Sequence, residues 1–97
     1  MNATFEKPTL IDKDQVKNLR FPQTEVLLTI EEIARRKEEL RRALILGNSD
    51  HSKVKIVFSD SDGPKMIDTT IWAVTELRIV LKSGMVIPIH RIHEIIT

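Results

Sequence analysis

From Thr29 to Asn48 the apolar residues recur with the period of a helix. Ile33, Leu40, Ala43 and Leu44 fall on one stripe, and the positions between them are charged. Thr29 followed three residues later by Glu32 forms a capping box, which marks where the helix begins. Glu31 with Arg35, Glu32 with Arg36 and Glu38 with Arg42 stand four apart, in the order that supports an exposed helical face. Gly47, followed by Asn48, is the expected left-handed stop. The pattern predicts an amphipathic helix with one face packed and one solvated.

After Asn48 the period shortens to two. Val54, Ile56 and Phe58 alternate with Lys53, Lys55 and Val57, and "SDSDG" then supplies a hairpin turn ending in Asp-Gly. "KMIDTTIWAV" is rich in β-branched residues and holds the single tryptophan, Trp72; "TE" separates it from "LRIVLKSG", and Gly84 turns the chain into "MVIPIHRIHEIIT". Several short strands at this spacing predict a mainly β fold with one helix: an N-terminal α-helix followed by a bent antiparallel small barrel of 4-5 strands. Residues 1-28 carry two prolines and no sustained period. They read as an N-terminal arm, loosely ordered or docking late, with a short extended piece at Glu25 to Leu28, ahead of a domain spanning residues 29-97.

The last segment breaks its own alternation. Ile87 and Ile89 have one parity, Ile92 and Ile96 the other, so one regular strand cannot bury all four. The phase must change near His90 and Arg91, by a bend, a bulge or a helical turn, and side chains at such a kink are re-aimed toward the rim. His90 and Arg91 are therefore the positions least explained by core packing.

Composition narrows the chemistry. The 97 residues are 41% hydrophobic and 30% charged, which suits one soluble domain, and no apolar run approaches the roughly 18 residues of a membrane span. Residues 1-28 carry four basic and four acidic side chains, residues 29-46 five and four, and residues 47-97 six and six, so no segment is a polyelectrolyte. That distribution argues against a nucleic-acid partner held by charge alone. The chain has no cysteine, which excludes thiolate metal sites and thiol nucleophiles, and no basic n-region precedes an apolar stretch, so the cytoplasm is the expected compartment. Asp60, Asp62 and Gly63 match three positions of a calcium loop, but Phe58 and Thr69 stand at its first and last ligand positions. His90, His93 and Glu94 invite a metal reading, yet residues three apart on a straight strand point to opposite faces. Neither metal nor cofactor is expected, and no nucleophile stands beside a histidine in a recognisable constellation. A metal-assisted or acid-base enzyme using His90, His93 and Glu94 is the third-ranked reading. Trp72 on a strand is expected in the core or as a half-buried cover; exposed, it would stack a base or anchor a partner.

The order helix, strand, hairpin, then "IWAVTELRIVLKSGMVIPIHRIHEII" resembles the Sm-like fold, an SH3-type small barrel with an N-terminal helix, over residues 29-97. "IHRIHEII" is similar to the segment joining the last two strands of the bacterial RNA chaperone family Hfq, with His90 at that family's histidine. The resemblance implies that His90 belongs to an RNA pocket, with the strand around Val74 lining it. Ile89 stands where that family has lysine, and Leu77 where it has a base-stacking aromatic. Rings of this family pair the fourth strand of one subunit with the fifth of the next, and Pro88 cannot donate to that ladder, which disfavours an Sm-type ring. The leading expectation is a non-enzymatic binding module that engages a protein partner through the barrel rim around His90 and Arg91, with Trp72. The alternative is an Sm-like RNA-binding protein using His90, Arg91 and Lys82.

Overall fold

A computed structural model describes residues 7-97. Strand β1 (Thr9–Leu10) and a 3-10 helix (Lys13–Asn18) precede helix α1 (Ile30–Asp50). Then follow β2 (Val54–Asp60), β3 (Gly63–Thr69), β4 (Ile71–Val74), β5 (Arg78–Leu81), β6 (Val86–Pro88), a 3-10 turn (Ile89–Arg91) and β7 (Ile92–Ile96). The strands form a four-stranded sheet in the order β1-β3-β2-β7 and a three-stranded sheet in the order β4-β5-β6. The fold is thus mixed, one long helix on two sheets. Among the described residues no single ladder closes into a barrel.

The expected continuous strand through "KMIDTTIWAV" is broken at Thr70, which sends β3 and β4 into different sheets. Thr70 is buried: its hydroxyl donates to the His51 carbonyl and its own carbonyl accepts from the Lys82 amide. Both sheets turn aliphatic faces inward. Ile56, Phe58 and Ile67 meet Ile71, Ile79, Leu81, Ile87 and Ile92, each fully buried, and burying such a side chain stabilises the fold by roughly 1.5–3 kcal/mol. Leu40 and Ala43 of α1 add to this core, as does Val16 of the N-terminal arm.

The helix begins where the capping box placed it, with Thr29 Oγ1 accepting from the Glu32 amide and Glu32 Oε1 from the Thr29 amide, both at 3.1 Å. Its end is different. Gly47 is not the stop: α1 runs through it, and His51 takes the left-handed cap conformation at φ 55° and ψ 30°. What requires glycine at 47 is proximity, since a Cβ there would lie 2.2 Å from the Ile71 carbonyl oxygen. The expected pair Glu32–Arg36 does not form, because Glu32 is occupied at the cap and Arg36 turns to Glu25; Glu38 binds Arg41.

The phase change at the end of the chain is the 3-10 turn Ile89–Arg91. A second shift follows. Phe58 pairs with Ile92 but Val57 with Glu94, so His93 is the extra residue of a bulge, and Ile95 rather than the expected Ile96 enters the core. The same device sets Trp72 as the half-buried cover among its expected placements. Ile71 pairs with Leu81 and Ala73 with Val80, which leaves Trp72 as the extra residue and lets Ile71 and Val74, three apart, both face inward. Trp72 is 49% exposed and is not core.

Over residues 7-28 the arm is docked. β1 runs parallel to β3, and the Phe21 ring packs on Phe58 with centroids 6.0 Å apart. Glu25 to Leu28 is irregular rather than extended strand, and it passes over the 3-10 turn on its way to α1.

Candidate functional site

The side chains that pattern and parity single out, His90 and Arg91, both face the arm. His90 Nε2 donates to the Pro22 carbonyl at 2.9 Å, and the His90 carbonyl accepts from the Val26 amide. Arg91 is 8% exposed. Its Nε donates to the Ser59 carbonyl at 3.0 Å, and its Nη1 to the carbonyl and hydroxyl of Thr24 at 2.8 and 3.0 Å. The turn therefore fastens residues 20–26 as a strap, helped by the Ser61 amide donating to the Arg20 carbonyl. The kink re-aims these side chains, as expected, but toward the protein's own backbone.

The strap is tied to α1 as well. Arg36, 5% exposed, makes a two-pronged bond to Glu25 at 2.6 Å on both oxygens, and donates at 3.0 Å to the Ile92 carbonyl on the outer edge of β7. Glu39 accepts from the Ile95 amide on the same edge. Burial would raise the Glu25 carboxyl, but the Arg36 bond and the Leu27 amide outweigh it and hold the group below the ordinary carboxylate range.

His93 and Ser59 form a contact that strand spacing alone conceals, because the bulge sets their side chains together: Ser59 Oγ and His93 Nε2 are 2.7 Å apart. Burial, then the charges of Arg91 and Arg36, push His93 below its ordinary value, so the ring is neutral at neutral pH. Ser59 lies on β2 and His93 at the bulge of β7, the edge strand of the four-stranded sheet. Glu94 is exposed beside His93. Among the described residues no group of three or more histidines and carboxylates is placed to hold a metal ion.

Trp72 and Lys82 lie elsewhere, on the outer face of the three-stranded sheet. By alternation with buried Ile79 and Leu81, Arg78, Val80 and Lys82 face outward, alongside exposed Trp72. The structure thus separates the expected residues into an inward pair, His90 and Arg91, and an outward pair.

A feature that the sequence reading missed is a groove of about 670 Å³ between the N-terminal half of α1 and the turn joining β4 to β5. Its floor and walls are largely apolar, formed by Ile33, Ala34, Leu40, Leu44, Val74 and Ile89. Lys37 and Arg41 stand on the helix wall, Glu38 beside them, and Glu76 on the turn. The helix stripe holds the clue: of its four residues expected to pack, Leu40 and Ala43 are fully covered and Leu44 packs partly on the core, whereas Ile33 stays 39% exposed.

Comparisons of the chain with models of protein families, with curated proteins and with solved structures each returned no match. Among the described residues no helix is long and apolar enough to cross a membrane.

Proposed function

We propose that this protein is a non-enzymatic binding module that holds an apolar segment of a protein partner in the groove between α1 and the β4–β5 turn. One observation carries the reading: an open apolar channel with charges of both signs on its rim, the anatomy of a groove that receives an amphipathic helix. The docking surface moves from His90 and Arg91 to the groove because those two side chains already hold the strap. Peptides selected from a random display library on the wild-type protein test this. They should carry apolar residues at helical spacing, bind at least ten-fold more weakly to Ala34→Glu and bind normally to His90→Ala; equal binding to all three proteins overturns the reading.

We read the fold, further, as a bent small barrel of the Sm-like or SH3-like kind. Its support is the strand succession β7-β2-β3 and β4-β5-β6, with β3 running into β4 through the single residue Thr70. An Sm-type ring remains disfavoured. Pro88 occupies the β6 edge, and Arg36 and Glu39 cover the outer edge of β7.

A second reading, RNA binding, has its own observation: Trp72 is exposed on a sheet face that also carries Arg78, with Lys82 following β5 and no carboxylate among the outward strand positions. Trp72 is the only tryptophan, so its fluorescence reports directly on stacking. Salt-sensitive quenching by short uridine- or adenosine-rich RNA supports this reading. No quenching up to roughly 100 micromolar at low salt removes it, since even non-specific contacts fall in that range.

A further inference from the structure

We propose that the occupant of the groove is a second copy of this chain, in a two-fold dimer; this rests on the groove being a protein-docking site. The chain carries, next to the groove, the apolar residues that would fill it. Ile30 is 83% exposed and Leu28 91% exposed. Ile30 lies on the same helical face as Ile33, Ala34, Lys37, Arg41 and Leu44, by steps of three and four, so it prolongs the helix wall of the groove beyond the channel itself. Leu28 precedes the cap residue, where an apolar side chain ordinarily packs back on the fourth helical residue, here Ile33. It does not close on it.

Two of the sheet edges are guarded against self-association. Pairing through the outer edge of β7 meets Arg36 and Glu39, and pairing through β6 meets Pro88. The groove has no such guard. Its rim suits a copy of itself, because Lys37 and Arg41 are balanced by Glu38 and Glu76, Arg36 is neutralised by Glu25, and a two-fold axis opposes no excess of like charge. In such an isologous contact Leu28 and Ile30 of each copy enter the groove of the other, so the same apolar contact is made twice.

Sedimentation velocity of the full chain across a concentration series tests this. The wild type should move from its 11.2 kDa monomer to twice that mass. Leu28→Glu plus Ile30→Glu removes the inserted side, Ala34→Glu blocks the receiving side, and each should weaken dimerisation at least ten-fold while keeping the wild-type thermal midpoint at concentrations where the wild type is monomeric. An equimolar mixture of the two variants keeps one intact contact and should form a heterodimer that neither forms alone. A monomer at every concentration, a dimer indifferent to both variants, or a mixture that stays monomeric overturns the proposal. Peptide binding sensitive to Ala34→Glu on a protein that stays monomeric would overturn the second copy while leaving the groove as a site for another protein. Loss of both would overturn the two together.

Discussion

The N-terminal half of α1 has two working faces, and they are built by opposite means. One carries Arg36 and Glu39, whose polar atoms are used up on Glu25, the Ile92 carbonyl and the Ile95 amide. The other carries Ile33, Ala34 and Lys37 and looks across open space at Val74 and Ile89. The first face spends charged side chains on bonds within the chain; the second borders an unfilled apolar channel with Lys37, Glu38 and Arg41 on its rim. On this stretch of helix Arg36 and Glu39 tie the chain to itself, while Ile33 and Ala34 border an open channel.

Removing Arg36 attacks the first face most strongly. Arg36→Ala deletes both bonds to Glu25 and leaves the Ile92 carbonyl without its side-chain donor, at an expected cost of about 2–4 kcal/mol. Arg36→Lys should recover less than half of that, since an ammonium cannot reproduce the fork. Urea unfolding followed by circular dichroism measures both, and a loss below about 1 kcal/mol for the alanine variant would contradict a fastened face. Gly47→Ala probes the same helix where it is pressed hardest. In an exposed helix that change gains about 1 kcal/mol. Here the Ile71 carbonyl stands in the way, and a net loss of at least about 1 kcal/mol is expected from the same unfolding experiment.

The comparison also shows what the sequence made legible. The capping box at Thr29 and the Asp-Gly hairpin are local signals, satisfied by neighbours three or four residues away, and both stand as read. The break at His90 and Arg91 was visible as a parity conflict. Ile96 lies outside the core because strict alternation fails at the His93 bulge, and Trp72, expected as core or as a half-buried cover, is the half-exposed extra residue of a second bulge. The spacing Ile71 to Val74, and likewise Ile92 to Ile95, three apart in a strand, was the available sign that an extra residue intervenes. The bond from Arg36 to Glu25 joins residues eleven apart around an irregular strap, and those of Arg91 to Thr24 span most of the chain; no periodicity encodes them. Gly47 looked like a stop because a helix end and a close approach ask for the same residue.

Acid separates the two faces by a different route. Ionised Glu25 is favoured by the fold, so its contribution is present above the ordinary carboxylate range and is lost as pH falls through the lowered folded value, below 4.5. His93 acts earlier. Its folded value lies below 6.5, so below that pH the unfolded chain takes up the proton first and stability begins to decline. Stability against pH should therefore fall in two stages on acidification. His93→Gln should remove the upper stage, and Glu25→Gln should shrink the lower one, which the cap carboxyl of Glu32 and the Arg41-paired Glu38 share, read as the urea midpoint between pH 7.5 and 3.5. If the groove face matters only for docking, Ala34→Glu should leave the curve between pH 5 and 7.5 unaltered.

The smallest expected effect is the most discriminating. Ile33→Ser removes an apolar side chain from an exposed position in the groove wall, and such a change ordinarily moves folding stability by no more than about 0.5 kcal/mol. The same substitution should weaken selected groove-binding peptides at least ten-fold, because the open part of the Ile33 side chain is what an occupant would cover. A folding loss above about 1 kcal/mol would make Ile33 a packing residue like Leu40. The two faces of α1 would then differ in degree rather than in kind, and the channel would be a defect of packing instead of a surface kept open.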